Sequence, residues 1–204
     1  MRRLLTRSCS LVALLLVLPT SLLAGPFDAL VDLDLLQASQ GGDGTEGFQI
    51  TGCSYQITFG GGAGDINNDS FDDLVFHCRS ENMVGVVFGS DTGFPADVDL
   101  GTLDGSNGFV ISDISLGFYD RNTSTSGVGD INDDGIPDLA VGDPLRRSVY
   151  IIFGSDTPFP ALIDVTTPVS APTGFTITEG TGAGIMPTRV IPAGDLNNDG
   201  IDDL

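Results

Sequence analysis

The stretch that decides the fold reads Gly129-Asp-Ile-Asn-Asp-Asp-Gly-Ile-Pro-Asp-Leu139. Two further copies align with it without gaps: Gly64-Asp-Ile-Asn-Asn-Asp-Ser-Phe-Asp-Asp-Leu74 and Gly194-Asp-Leu-Asn-Asn-Asp-Gly-Ile-Asp-Asp-Leu204. Their leading acids are Asp65, Asp130 and Asp195, so the interval is 65 residues both times. A fixed period of this size indicates a chain built from repeated structural units.

Two other elements recur around these acidic loops. Val87-Phe-Gly-Ser-Asp-Thr92 returns at the same offset as Ile152-Phe-Gly-Ser-Asp-Thr157. The third element occurs as Gly47-Phe-Gln-Ile-Thr51, Gly108-Phe-Val-Ile-Ser112 and Gly174-Phe-Thr-Ile-Thr178. Together the three elements exclude coincidence as the source of the repeat.

The runs between these elements are short, of β type, and bounded by Gly, Asp, Asn and Ser. In the second unit they predict strands at Thr123 to Gly129, Asp138 to Gly142, Ser148 to Gly154 and Gly174 to Thr178. Four antiparallel strands per unit fit the blade of a β-propeller, so an all-β fold of such blades is expected. A weakly periodic stretch at Leu30 to Leu36 is interpreted as a strand and turn.

Each acidic copy offers side-chain oxygens at loop positions one, three, five and nine, and a backbone carbonyl at position seven. Calcium takes six to eight such oxygens. Gly135 and Gly200 at position six permit the sharp turn, whereas Ser70 in the first copy is expected to strain it. The predicted calcium ligands are Asp65, Asn67, Asp69, Phe71 and Asp73; Asp130, Asn132, Asp134, Ile136 and Asp138; and Asp195, Asn197, Asp199, Ile201 and Asp203.

The alternative for an Asp/Asn/Gly cluster is a solvated turn, and three copies in one register favour the metal site instead. Crowded carboxylates repel one another, so we expect each loop to be loosened without a divalent ion. Magnesium suits an all-protein cage less well, because it retains its waters. An EF-hand would continue to a Glu at position twelve, but an apolar run follows Asp138, which indicates a β-hairpin calcium loop.

Composition excludes one class of function. The 204 residues include 28 Asp plus Glu against 8 Lys plus Arg, for a formal charge of -20. A nucleic-acid-binding protein needs cations for the phosphates, so no nucleic-acid partner is expected. At 41% hydrophobic residues the chain has enough apolar side chains for a sizeable core.

Residues 1–24 have the layout of a secretory signal peptide. Arg2, Arg3 and Arg7 precede an apolar run from Leu11 to Leu18, and small residues lead to Ala24. The apolar run is too short to cross a bilayer, so no membrane span is expected after cleavage. We therefore expect a protein that is secreted, periplasmic or on the cell surface.

The cysteines agree with an oxidising compartment. Cys9 leaves with the leader, and Cys53 and Cys78 remain as a pair. Cys53 precedes one predicted strand and Cys78 ends the next, so a hairpin would bring them together. A disulfide is the favoured interpretation, and two buried free thiols are the alternative.

An enzymatic function is not expected. His77 is the only His and would have to serve as any catalytic base, but no nucleophile is positioned beside it in the sequence. It is interpreted as a structural residue at a strand end. The clustered acids, which could cleave sugars as pairs, are accounted for as calcium ligands.

The chain resembles the FG-GAP repeats of the integrin alpha-chain propeller and its bacterial relatives. Phe88-Gly89 and Phe153-Gly154 match the Phe-Gly element, and the three acidic loops match the family's calcium loop. Gly142-Asp143-Pro144 stands where the family has Gly-Ala-Pro, and His77-Cys78-Arg79 replaces that turn in the first unit. The resemblance implies a seven-bladed propeller with calcium hairpins on its rim and ligand recognition on the opposite face.

At 65 residues per unit, residues 25–204 amount to about three blades, the last truncated. We therefore expect an incomplete propeller with exposed sheet edges: a fragment, a truncated reading frame, or part of a longer chain that supplies the remaining blades.

The expected function is that of a non-catalytic extracellular recognition or adhesion module. It would bind a protein or matrix ligand through the loops Leu116 to Ser126 and Gly180 to Thr188, which vary between units. One alternative is a carbohydrate-binding, lectin-like propeller, although the chain offers no Trp and only Tyr55, Tyr119 and Tyr150 as its tyrosines. Further alternatives are the non-catalytic part of a larger secreted hydrolase and a structural spacer.

Overall fold

The computed structural model describes residues 47–54, 57–115, 125–178 and 190–204. The leader, the stretch at Leu30 to Leu36 and nearly all of the two variable loops lie outside these residues. Within them, no helix is long and apolar enough to cross a membrane. The only helices of this part are two 3₁₀ turns, Arg79–Glu81 and Leu100–Thr102, so the predicted all-β class is confirmed.

The chain forms eleven strands in the described residues. They are β1 (Gln49–Thr51), β2 (Ile57–Gly64), β3 (Asp73–Cys78), β4 (Met83–Val87), β5 (Asp97–Asp99), β6 (Gly108–Ser112), β7 (Thr125–Gly129), β8 (Asp138–Asp143), β9 (Ser148–Ile152), β10 (Leu162–Asp164) and β11 (Gly174–Thr178). One sheet has the order β10-β6-β4-β3-β2, another the order β11-β9-β8-β7, and β1 pairs with β5. The antiparallel run β2-β3-β4-β6 thus has its repeat in β7-β8-β9-β11.

The sequence predicted four strands per unit, and the structure has five. The additional strands β5 and β10 have three residues each and pair in parallel with β1 and β6, which belong to the preceding copy of the repeat. A strand this short gives no period-two signal in the sequence, and its partner lies about 50 residues away. Each unit therefore contributes one strand to the sheet element before it.

The two large sheets pack face to face. Val84 and Val86 of β4 and Leu139 and Val141 of β8 belong to one buried cluster between them. The alternate residues of the same strands face the other way, as the period of a strand requires. On the second sheet these are Ala140 of β8 with its neighbours Val149 and Ile151, which form a separate cluster on the far face.

Glycine permits the first strands of the two sheets to approach closely. A Cβ on Gly127 of β7 would lie 2.5 Å from the carbonyl oxygen of Ala63 in β2. A Cβ on Gly60 would lie 2.6 Å from the carbonyl oxygen of Thr125. No side chain fits in either space, which explains why the ends of these strands are rich in glycine.

Most predicted boundaries in the second unit agree with the structure, but β8 ends at Asp143, one residue after the predicted end, and the predicted start of β7 at Thr123 lies outside the described residues. β8 begins at Asp138 and β11 spans Gly174–Thr178, as predicted, and β7 ends at Gly129. β9 ends at Ile152, two residues before the predicted end. The reason is that the Gly154 amide leaves the sheet to donate to the Asp138 carboxylate.

A disulfide joins Cys53 to Cys78, with an S–S distance of 2.14 Å and a Cα–Cα distance of 5.7 Å. Ile57 at the start of β2 lies opposite Cys78 at the end of β3, so the pairing of the hairpin places Cys53 within reach. These sulfurs and the nearby Glu81 lie close together. Because both sulfurs are in the disulfide, they are not thiolate ligands for a metal.

Candidate metal centre in the acidic loops

The three acidic loops have the same backbone conformation. Position four is left-handed in each, with φ of 57° at Asn68, 60° at Asp133 and 62° at Asn198. Position six is left-handed as well. Its φ values are 77° at Ser70, 87° at Gly135 and 94° at Gly200. Two glycines therefore stand where the turn requires them, and Ser70 adopts a conformation that costs an L-residue free energy.

The acid at position one holds the centre of the turn. In the second loop, Asp130 Oδ1 accepts the amide of Asp134 at 3.1 Å and Oδ2 accepts the amide of Gly135 at 2.7 Å. Asp134 Oδ1 in turn accepts the amide of Ile136 at 2.9 Å. The first and third loops repeat all three bonds. Positions one and five are thus turned into the loop by the backbone itself.

The amide at position three faces the same interior. Asn132 Oδ1 accepts the amide of Asp134 at 3.2 Å, and Asn132 Nδ2 donates to Asp134 Oδ2 at 2.8 Å. Asn67 in the first loop makes the same pair of contacts with Asp69. In the third loop the amide of Asp199 donates to Asn197 Oδ1. The oxygens at positions one, three and five therefore converge within each loop.

The acid at position nine is buried in the first two loops, with exposures of 2% for Asp73 and 0% for Asp138. Asp138 Oδ2 accepts the amide of Ile131, and Oδ1 accepts the amide of Gly154, both at 2.8 Å. Asp73 has the equivalent bonds from the first unit. Asp203 of the third loop accepts the amide of Leu196 and is only partly buried.

Burial changes the acidity of these two carboxyls. Desolvation raises the pKa of Asp73 to about 7, against the opposing effect of its backbone hydrogen bonds, and the charges of Asp69 and Asp65 add to the rise. The pKa of Asp138 rises to about 6 for the same reasons, with Asp134 and Asp130 as the charged neighbours. A cation placed among these groups would reverse this effect, because it favours the ionised form.

The glycine of the Phe-Gly pair has a role that sequence reasoning missed. Gly89 and Gly154 each stand 16 residues after the buried acid and donate to it. A Cβ on Gly154 would lie 2.4 Å from Ile136 Cγ2 and from the carbonyl oxygen of Pro137. The constant interval between acid and glycine was the signal available in the sequence. This glycine lets one strand end approach the acidic loop of its own unit.

The donor set fits a hard cation of calcium's size. Each loop supplies three carboxylates and one amide oxygen, and the carbonyl at position seven belongs to Phe71, Ile136 or Ile201. An ionised carboxylate has about four lone-pair sites on its two oxygens, so the hydrogen bonds from backbone amides leave sites on these acids for a cation. The fifteen predicted residues form three separate loops, one per copy of the repeat.

An open cleft of about 380 Å³ lies against the second loop. Asn132 and Asp134 form part of its wall, and Phe153, Asp156 and Thr173 form other parts. A ligand in this cleft would contact both the acidic loop and the segment after the Phe-Gly pair.

Replacement of Ser70 by Gly is expected to stabilise the first loop. Ser70 has a φ of 77°, and removal of its Cβ relieves a strain of about 1 kcal/mol. The reciprocal change Gly135→Ser should destabilise the second loop by a similar amount. Urea unfolding of the two variants measures both effects, and equal stability of Ser70→Gly and the wild type would contradict the expected strain.

His77 is buried within β3. It is 2% exposed, and its Nε2 atom contacts Thr125 Oγ1 on β7, which links the two sheets. Burial, together with the positive charge of Arg79, lowers the pKa of His77 to about 4.

This lowered pKa predicts a pH dependence of stability. Between about pH 6.5 and pH 4, His77 binds a proton in the unfolded chain but stays neutral in the folded one. The contribution of His77 to the free energy of unfolding is therefore lost as the pH falls through this window. The expected slope is about 1.4 kcal/mol per pH unit at most. The raised pKa values of Asp73 and Asp138 give stability the opposite dependence on pH. The measurement is therefore the difference in unfolding free energy between the wild type and His77→Gln at each pH, which isolates the effect of His77. A difference that stays constant over this window would contradict the prediction.

Comparison with known protein families finds no family model that matches the chain, and comparison with curated proteins finds no match either.

Proposed function

We propose that this protein is a calcium-stabilised extracellular recognition or adhesion module built from propeller blades of the FG-GAP type. The observation that carries the proposal is the acidic loop. In two successive units a buried acid faces two further carboxylates, and the backbone holds all three in the same arrangement. In the third copy, Asp195 at position one and Asn197 at position three accept the amide of Asp199, as in the other two loops. Three copies of this loop in one register favour a cation site over solvated turns.

Calcium would act on the structure rather than on a reaction. The ion would be held in each loop by the acids at positions one, five and nine, the Asn at position three and the carbonyl at position seven. When bound, it supplies positive charge that offsets carboxylate repulsion and favours ionisation of Asp73 and Asp138. Because Asp138 begins β8 and Gly154 follows β9, an ordered loop fixes the start of one strand and the end of another.

The blade interpretation is supported by the arrangement of the two sheets. Each contains a four-stranded antiparallel meander, the two meanders pack face to face, and their first strands β2 and β7 lie together. Radial repetition of such units is the construction principle of a propeller. The third loop contacts the second in the same way that the units repeat, since Asp202 Oδ2 accepts the amide of Asp130.

The recognition surface is proposed to lie in the segments that differ between units. The lectin alternative needs exposed aromatic platforms, and Tyr150 is 3% exposed, so it is not one. Tyr55 and Tyr119 lie outside the described residues. An extracellular protein or matrix ligand is therefore the proposed partner, and an oxidising compartment is consistent with the Cys53–Cys78 disulfide.

Calcium titration tests the proposal. We expect binding with a Kd on the order of 10⁻⁴ to 10⁻³ M, as in extracellular modules. At about 10 mM calcium each site would then add about 1.4–2.7 kcal/mol to the free energy of unfolding. Titration calorimetry measures the binding, and thermal unfolding measures the stabilisation.

Asp134→Ala removes one ligand of the second loop and should eliminate most of that loop's share of the calcium effect. Asp156→Ala changes an exposed acid outside the loops and should preserve the whole effect. An absence of heat at millimolar calcium, or equal loss in both variants, would refute calcium binding by the loops. A glycan array then separates the two recognition functions, since binding of a defined sugar would favour the lectin.

A further inference from the structure

Two copies of the Gly-Phe-x-Ile element receive the same kind of strand on the same edge. The amide of Gln49 in β1 donates to the carbonyl of Ala96 at 2.8 Å, and the amide of Val110 in β6 donates to the carbonyl of Ala161 at 3.0 Å. Both alanines end a Phe-Pro-Ala triplet. The parallel strands β5 and β10 follow these triplets in the same register, with Gln49 opposite Asp97 and Val110 opposite Leu162.

The third copy of the element, β11, presents the edge that corresponds to those of β1 and β6. Phe175 of β11 lies opposite Ile151 of β9, just as Phe109 of β6 lies opposite Val86 of β4. The Thr176 amide consequently takes the outward direction that the Val110 amide has in β6. Among the described residues no strand pairs with this edge of β11.

An apolar side chain marks the same position. Ile50 and Ile111, which lie opposite Val98 and Ile163, have exposures of 8% and 0%. Their counterpart Ile177 is 40% exposed. The β-branched residue of an added strand would lie beside Ile177 and remove apolar surface from water.

An acid completes the added strand in both observed cases. Asp99 lies opposite Thr51 and accepts the amide of Gly101 at 2.9 Å. Asp164 lies opposite Ser112 and accepts the amide of Thr166 at 2.8 Å. The acid therefore ends the strand and turns the chain away from the sheet. On β11 the residue that corresponds to Thr51 and Ser112 is Thr178, which also has a hydroxyl group.

We propose that the outer edge of β11 is a docking site for an extended segment of the form Phe-Pro-Ala-x-(Val/Ile)-Asp, which adds to it as a parallel strand. Recognition combines main-chain hydrogen bonds with one apolar position, as in other cases of strand addition. The occupant is a further copy of the repeat unit, because β5 and β10 are the equivalent strands that two units supply to the copies before them. This inference goes beyond the proposed function and is independent of calcium.

A peptide with the sequence of residues 159–166, Phe-Pro-Ala-Leu-Ile-Asp-Val-Thr, tests the proposal. Fluorescence anisotropy of the labelled peptide with the full chain should give saturable binding with a Kd on the order of 10⁻⁴ M, since few residues are buried. The same peptide carrying Ile163→Asp should bind at least tenfold more weakly. N-methylation of the amides that face β11 should have a similar effect.

The protein variant Ile177→Asp should weaken the unmodified peptide at least tenfold, whereas Leu145→Asp, at an exposed turn between β8 and β9, should not. The peptide comparison remains decisive if Ile177→Asp fails to fold. Equal binding of the two peptides, or no saturation by about 1 mM, would overturn the proposal.

Discussion

Asp138→Ala should destabilise the protein by about 2–4 kcal/mol in the presence of calcium. The substitution leaves the amides of Ile131 and Gly154 without their acceptor, and an unsatisfied buried donor costs about 1–3 kcal/mol. Without calcium the loss should be smaller, because removal of a carboxyl whose pKa is raised also removes the cost of its burial. Urea unfolding with calcium and with a chelator measures both values.

Two variants control this experiment. Asp138→Asn keeps one acceptor oxygen and should fall between Ala and the wild type. Asp156→Ala alters an exposed acid and should remain within about 0.5 kcal/mol of the wild type. If Asp138→Ala were as stable as Asp156→Ala, the buried acid would not be the group that holds the loop to the strand end.

The second large effect is expected from the disulfide. The double variant Cys53→Ser with Cys78→Ser should lose about 3 kcal/mol of unfolding free energy. A link between residues 25 apart restricts the unfolded chain by roughly that amount. Denaturant unfolding of the oxidised wild type and the double variant gives the difference.

Reductant supplies the matched control. It should lower the stability of the wild type to that of the double variant and leave the variant unchanged. Calcium stabilisation of the second loop should survive in both, because the disulfide belongs to the first unit. Wild-type stability that does not respond to complete reduction would contradict the prediction.

Local chemistry made much of this structure predictable from the sequence. The 65-residue repeat located the acidic loops, and the glycine at position six correctly indicated a left-handed residue there. Ser70 adopts the same conformation as those glycines, as the alignment implied. These features depend on residues within a few positions of one another, so a single sequence contains them.

Contacts between distant residues could not be predicted in the same way. The amide of Gly154 and the carboxylate of Asp138 meet only because β8 and β9 pair. Asp143 departs from the resembled Gly-Ala-Pro turn, and the structure explains why: it is buried, accepts the Ser115 amide at 3.1 Å and pairs with Arg146 at 3.0 Å. Neither partner is evident from the motif alone.

The placement of β10 in the sheet of the preceding unit affects how the protein unfolds. If each unit were self-contained, the second could melt and leave the first intact. Because β10 of the second unit pairs with β6 of the first, unfolding of the second unit removes a strand from the sheet of the first and exposes Ile111 to solvent. Adjacent units are thereby thermodynamically coupled, which favours one cooperative transition over stepwise loss along the array.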